Sequence, residues 1–151
     1  MTDMTEKSVL VDRPKEVVWS FLTSERFAKS INPDVIGWKQ TSAGSYGVGT
    51  TFQEIRSKTP KVMDFRVTEY EPNRRLSLEI TSGPIKGTVV TERIEEVGGK
   101  TKFTETMVPN FSGFYKLLGP FIDRLTGSKV KRETETRVGN IKRALESEAQ
   151  S

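Results

Sequence analysis

Apolar and polar residues alternate with a period of two through the middle of the chain, from Val35 to Val108. Turn-forming residues such as Gly, Pro and Asn divide this stretch into separate runs. The alternation predicts consecutive strands at residues 34–42, 49–57, 62–70, 74–82, 86–97 and 100–108. Because the connections between these runs are short, neighbouring strands are expected to pair antiparallel.

The chain before this stretch follows other patterns. Ser8–Val11 is a short β-rich run, after which Asp12 is expected to cap a helix that has Pro14 in its first turn. A second short helix is predicted at residues 24–31. It should end before Pro33, because the residue that precedes a proline disfavours helical geometry.

After the last predicted strand, apolar residues recur at near-helical spacings, which predicts a long C-terminal helix. The positions of this stripe are Leu118, Ile122, Leu125, Val130, Thr134, Val138, Ile141 and Leu145. An amphipathic helix and an antiparallel sheet each hide one face when they pack together. A strongly curved sheet cannot follow one helix along its whole length, so we expect a cavity between them, closed at one end by the two short helices.

The order of these elements predicts an α+β fold in a single domain that covers residues 1–151. In this fold a seven-stranded curved antiparallel sheet wraps around the long C-terminal helix, and two short helices follow the first strand. The length suits one core, because folding of a chain of this size buries roughly 70% of the surface of the unfolded chain.

The chain contains no cysteine and no histidine. This composition excludes disulfides, Cys-based zinc sites, haem held by His and Ser-His-Asp catalysis. We expect no metal and no cofactor. Unless a cofactor supplies the chemistry, acid–base catalysis would have to use carboxyl, amine, phenol or hydroxyl groups or water, so binding is favoured over catalysis.

The charge is mildly basic, with 24 Lys and Arg against 20 Asp and Glu. This surplus lacks the clustering that marks nucleic-acid binding, so no nucleic-acid partner is expected. The N-terminus has no apolar core of a secretory signal, and no run approaches the ~18 apolar residues of a membrane span. We expect a cytoplasmic protein without stable membrane insertion.

Period two also predicts which side chains face the cavity. The candidate wall residues on the strands are Met63, Phe65, Val67, Leu78, Val90, Phe103 and Met107. The candidates on the C-terminal helix are Ile122, Val130 and Thr134. Each is equally a candidate core residue, because in a cavity protein one side chain serves both purposes.

Two glutamates, Glu92 and Glu105, share the parity of the wall residues on their strands. Burial raises the pKa of a carboxyl, which suits it to general acid or base catalysis, and Tyr70 is a third weak catalytic candidate. In the alternative interpretation the glutamates lie outside, in a mesh of charges with Arg93 and Lys102.

The Gly-rich segment 44–49 resembles a phosphate-binding loop in composition. It precedes a strand rather than a helix, so it lacks the helix N-terminus that binds phosphate, and a hairpin connection is expected. Tyr46 in this segment has a polar tip that can hydrogen-bond a ligand or reach water.

Five segments of the sequence, at residues 9–19, 47–52, 67–76, 98–103 and 141–146, carry a family resemblance. They resemble the START, birch-pollen-allergen and polyketide cyclase/dehydrase proteins of the SRPBCC superfamily. The resemblance covers nearly the whole chain and implies the helix-grip fold. The superfamily includes lipid and hormone carriers, aromatase/cyclases and chaperone activators, so the fold does not choose among these functions.

The function expected from these features is binding of a small hydrophobic or amphipathic molecule, which is lipid-, polyketide- or aromatic-like, in an internal cavity. The protein would then be a carrier, a sensor or a sequestering protein. One alternative is a cyclase or dehydratase that uses Glu92, Glu105 or Tyr70 for proton transfer. A further alternative is a protein-interaction module similar to the chaperone activators. Turnover of a bound ligand separates the first two hypotheses, and capture of a protein partner without a small molecule favours the third.

Overall fold

The computed structural model describes residues 4–31, 33–58, 61–83, 85–110 and 138–147. The strands in these ranges are β1 (Thr5–Val11), β2 (Val35–Gln40), β3 (Thr51–Arg56), β4 (Val62–Glu71), β5 (Arg75–Ile80), β6 (Val89–Val97) and β7 (Lys100–Val108). The helices are α1 (Lys15–Leu22), α2 (Glu25–Ile31) and α3, which comprises the helical residues 138–147.

The strands form one seven-stranded antiparallel sheet in the order β1-β7-β6-β5-β4-β3-β2. Strands β2 to β6 each pair with the next strand along the chain, as the short connections predicted. The first strand crosses over and pairs with β7 in continuous register from Thr5 opposite Met107 to Val11 opposite Thr101. This crossover leaves β1 and β2 as the two edges of the sheet.

The predicted strand at 86–97 begins later, at Val89, because residues 85–87 form a turn. Gly87 has a φ of 96°, which favours glycine. A Cβ at this position would lie 2.4 Å from Nδ2 of Asn110, which donates a hydrogen bond to the carbonyl of Lys86. The turn therefore needs glycine for both its backbone conformation and the close approach of Asn110.

The start of α1 differs from the prediction, since Pro14 rather than Asp12 is the N-cap residue. The N–H groups of Val17 and Val18 both donate to the carbonyl of Pro14, at 3.1 Å. The backbone N–H of Asp12 instead donates to Oε1 of Glu146 in α3, at 3.1 Å. Pro14 has the extended backbone of an N-cap residue, so Asp12 lies two positions before the cap and the prediction that Asp12 caps α1 is wrong.

The end of α3 is fixed to the end of β1. Its apolar residues Val138, Ile141 and Leu145 are buried in the core, the last two completely. Lys142 Nζ donates to the carbonyl of Leu10 at 2.5 Å and to Oε1 of Glu146 at 2.8 Å. The hydrogen bond from Lys142, followed by that from the Asp12 N–H, lowers the pKa of Glu146. The C-terminal helix therefore covers the core here, while the predicted helix residues Ile122, Val130 and Thr134 lie outside the described residues.

Candidate functional site

The sheet has an inner face, whose side chains are buried against α1 and α3, and an outer face that is open to solvent. The predicted wall residues Met63, Phe65, Val67, Leu78, Val90 and Phe103 lie on the inner face, and none exposes more than 9% of its surface. Met107 on the same face is half-buried. The strand residues expected from parity are therefore brought together on one surface.

The register aligns several of these residues in a row across the sheet. Met107 lies opposite Val90, Val90 opposite Leu78, and Leu78 opposite Val67. Directly opposite side chains in a sheet share a face and lie within contact distance. The row gives the middle of the inner face a continuous aliphatic surface.

An aromatic cluster extends this surface toward β2. The rings of Trp38 and Phe52 have centroids 4.0 Å apart, and Phe52 stacks on Phe65 at 5.3 Å. Phe52 is 1% exposed and was not among the predicted wall residues. The alternation of Phe52 with its neighbours on β3 was the signal that could have identified it.

A second row on the inner face is polar. Tyr70 lies opposite Leu76, Leu76 opposite Glu92, Glu92 opposite Glu105, and Glu105 opposite Lys7 on the edge strand. Both glutamates are completely buried. The alternative interpretation, a solvated outer mesh, therefore does not hold for these two side chains.

This polar row places unlike and like charges close together. Two carboxylates directly opposite each other on neighbouring strands repel when both are ionised. The half-buried Lys7 adds a positive charge next to Glu105. Groups that exchange a proton or accept a hydrogen bond are thus concentrated at one level of an otherwise apolar face.

Tyr46, whose polar tip was expected to hydrogen-bond a ligand or reach water, joins this row from the β2–β3 connection. Its ring centroid lies 5.6 Å from that of Tyr70, which in turn lies 5.6 Å from Trp19. Burial, followed by the neighbouring Tyr70 and Glu92, raises the pKa of Tyr46 well above its ordinary value. The phenol therefore stays protonated at neutral pH and is available as a hydrogen-bond donor.

The loop that carries Tyr46 is a strand connection, as predicted, and not a phosphate loop. It leads from β2 directly into β3, and these strands are antiparallel neighbours. The hydroxyl of Thr50 accepts a hydrogen bond from the N–H of Gly47 at 2.9 Å, which fixes the loop next to Tyr46.

An ion pair occupies the other end of the inner face. Nε of Arg56 lies 3.4 Å from Oε1 of Glu54, and Glu54 is 9% exposed. A terminal nitrogen of Arg56 also contacts Sδ of Met63 at 3.2 Å. We did not predict this pair from the sequence, although both residues share the parity of Phe52.

The outer face carries a groove of about 650 Å³ that is lined mainly by charged side chains. Its acidic residues are Glu6, Glu69, Glu71 and Glu95, and its basic residues are Arg74, Arg75, Arg93 and Lys102. Arg75 pairs with Glu69 at 2.8 Å, and Arg93 pairs with Glu6. Because these opposite charges balance in contact with solvent, the inner face is the stronger candidate for a ligand site.

Comparison with known proteins agrees with this geometry. A family model described as polyketide cyclase / dehydrase and lipid transport matches residues 2–146. The chain belongs to this family. Membership in the polyketide cyclase/dehydrase and lipid transport family confirms the SRPBCC resemblance and supports binding of hydrophobic ligands in general. No helix within the described ranges has the length and apolarity needed to cross a bilayer.

Solved structures share the helix-grip fold at low sequence identity. TTHA0849 from Thermus thermophilus superimposes with a TM-score of 0.75 at 13% identity, over 99% of this chain and 100% of that one. Ara h 8.0201 gives 0.71 at 12% identity, over 96% and 98%. The di-domain ARO/CYC BexL from the BE-7585A biosynthetic pathway gives 0.68 at 17% identity, over 93% of this chain and 46% of BexL. A sequence search of curated proteins gave no match.

Proposed function

We propose that this protein binds a small hydrophobic or amphipathic molecule in a cavity between the inner face of the sheet and the C-terminal helix. It acts as a carrier, a sensor or a sequestering protein. The observation that carries this proposal is the polar row formed by Glu92, Glu105 and Tyr70 within an apolar wall. Two carboxyl groups withdrawn from water at one level of this wall would supply polar contacts for the polar part of a ligand.

The proposed site has the composition of a small-molecule site, which is mostly apolar with a few convergent polar groups. The apolar body of the ligand would lie against the aliphatic row of Val67, Leu78 and Val90. One polar group of the ligand would reach the level of Glu92 and Tyr46, at one end of the inner face. Such a site selects an amphipathic molecule, because a purely apolar one would cover the polar row without adding hydrogen bonds to it.

Native mass spectrometry of protein purified from its own source tests this function. We expect a non-covalent adduct of discrete mass that denaturation releases. Protein stripped of the adduct by organic extraction and refolded should bind the extracted molecule again. A bare protein mass before extraction, together with no binding of source lipid extract afterwards, would contradict the proposal.

An enzymatic function is the second candidate, and the direct opposition of Glu92 and Glu105 favours it. One carboxylate would remove a proton from a carbon next to a carbonyl, while Tyr46 or Tyr70 donates a hydrogen bond to the carbonyl oxygen. Incubation of the stripped protein with the recovered ligand distinguishes the two functions. A carrier returns the ligand unchanged, whereas an enzyme converts it and loses turnover in both Glu92→Gln and Glu105→Gln but not in the outer-face control Glu95→Gln.

A further inference from the structure

Arg56 is the last residue of β3 and shares the inner parity of Phe52 and Glu54. Its side chain is 20% exposed, and it contacts the buried Met63. The guanidinium group is therefore a cation on the same face as the proposed ligand site, at the opposite end from the Glu92–Glu105 pair.

The donors of this guanidinium have weak acceptors. Arginine has N–H donors in a planar fork, and the terminal nitrogen of Arg56 that bonds Sδ of Met63 uses a poor acceptor. Nε lies 3.4 Å from Oε1 of Glu54 and donates no hydrogen bond to any of the described residues. Most of the donor capacity of Arg56 is thus not matched by a carboxylate or carbonyl oxygen in the described part of the chain.

Arg66 on the outer face is better paired although it needs compensation less. It donates a hydrogen bond to Oε1 of Glu79 at 3.2 Å, and its side chain is 49% exposed. A cation withdrawn from water requires closer compensation than an exposed one. Arg56 is more buried than Arg66, yet its closest carboxylate oxygen is farther away.

The surroundings of Arg56 define what kind of molecule would complete its hydrogen bonds. Trp38 lies opposite Glu54 in the β2–β3 register, and the stacked rings of Phe52 and Phe65 continue from it across the inner face. The planar fork of arginine matches a carboxylate through two parallel hydrogen bonds. An apolar molecule lying along these rings would present one end to the guanidinium.

We propose that the ligand is an amphipathic acid whose carboxylate binds Arg56 while its apolar body lies along Trp38, Phe52 and Phe65. This inference rests on the ligand-binding function proposed above. Glu54 orients the guanidinium from one side and also adds a negative charge next to the bound carboxylate.

Three probes with the same alkyl chain test this inference: dodecanoate, dodecanol and dodecylamine. Each displaces an environment-sensitive apolar dye from the wild-type protein near neutral pH, at concentrations below micelle formation. We expect dodecanoate to bind about tenfold more tightly than dodecanol, as one charge-assisted bidentate contact provides. Dodecylamine should bind more weakly than the alcohol.

Substitutions test whether Arg56, rather than another charged residue, causes the preference for dodecanoate. Arg56→Gln should remove the preference for dodecanoate and leave the affinity for dodecanol within about twofold. Arg66→Gln, on the outer face, should change neither affinity. Glu54→Gln should strengthen dodecanoate binding, because it removes a competing negative charge. If Arg56→Gln does not melt cooperatively, Arg56→Lys keeps the charge without the fork and should retain only part of the preference.

The results distinguish failure of the proposed role of Arg56 from failure of the proposed ligand-binding function. Equal binding of all three probes, or a preference for dodecanoate that survives in Arg56→Gln, would overturn the role of Arg56 while ligand binding stands. Tighter binding of dodecylamine would also overturn it and would assign the head group to the Glu92–Glu105 level. Failure of the dye and of every probe to bind would contradict the proposed function.

Discussion

The two faces of the sheet are made from the same strands, but charged side chains are exposed on the outer face and buried on the inner face. On the outer face of β6, Arg93 is paired with Glu6 and both side chains are almost half exposed. On the inner face of the same strand, Glu92 is completely buried opposite Glu105. A shift of one position along a strand therefore changes a solvated ion pair into a desolvated carboxyl group.

Charged side chains on the two faces therefore differ in how much they contribute to stability. Exposed ion pairs contribute about 0–1 kcal/mol and keep the outer face soluble. Buried charged groups lose their hydration and depend on contacts inside the protein, so their substitution has larger effects. The comparison predicts that substitutions on the inner face affect stability and binding strongly, while matched substitutions on the outer face affect neither.

Removal of the cover of the inner face should have the largest effect. A chain that ends at Gly127 lacks Val138, Ile141 and Leu145, each of which stabilises the core by roughly 2–5 kcal/mol. Their sum is comparable with the entire stability of a typical domain. We expect this chain to aggregate and to lose its cooperative thermal transition in calorimetry. A control chain that ends at Ser147 should unfold as the full chain does, and a cooperative transition at the same temperature in the shorter chain would show that the helix does not cover the sheet.

A matched pair of leucine substitutions compares the faces directly. Leu76 on the inner face is completely buried, whereas Leu10 on the outer face is 41% exposed. Leu76→Ala should lower the free energy of unfolding by about 2–5 kcal/mol, and Leu10→Ala by less than about 1 kcal/mol. Urea denaturation measures both values, and similar losses would contradict the assignment of the faces.

Alkaline pH should destabilise the protein through Tyr46. Its pKa in the folded protein is raised above the ordinary value of 10.0, so its contribution to stability is complete below that pH. Above it the unfolded chain ionises first, and stability falls as pH rises. Tyr46→Phe should reduce this fall by up to about 1.4 kcal/mol per pH unit. Denaturation midpoints measured from neutral to alkaline pH check this, and identical slopes in both proteins would argue against a desolvated phenol.

Loss of an outer ion pair should have the smallest effect. Glu69→Gln removes the 2.8 Å contact with Arg75, in which both side chains are more than 40% exposed. The free energy of unfolding should change by less than about 1 kcal/mol, and the change should shrink further at high salt. A larger loss, independent of salt, would mean that the outer face is not a solvated surface.

The sequence was sufficient to predict the sheet and the parity of its wall residues, because period two follows from strand geometry alone. It also placed Glu105 and Phe103 on one face. It did not predict the start of α1, where Pro14 rather than Asp12 has the extended backbone of the N-cap residue. The position of Tyr46 next to Glu92 depends on the path of a loop, and loop paths leave no periodic signal.

The orientation of Arg56 escaped prediction for a different reason. A charged residue at the end of a strand is usually solvated, and parity alone does not show how far a long side chain reaches. The contacts with Met63 and Glu54 show that the guanidinium lies on the inner face.

The central claim is that the inner face encloses space for a ligand, and a pair of neighbouring substitutions on β6 tests it most directly. Val90 points to the inner face and is 4% exposed, while Val89 points outward. Titration with an environment-sensitive apolar dye should show that Val90→Phe weakens binding by at least about tenfold, because the larger ring would fill the proposed cavity. Val89→Phe should bind the dye like the wild type. Equal dye affinity in all three proteins, or no binding by the wild type, would contradict the account.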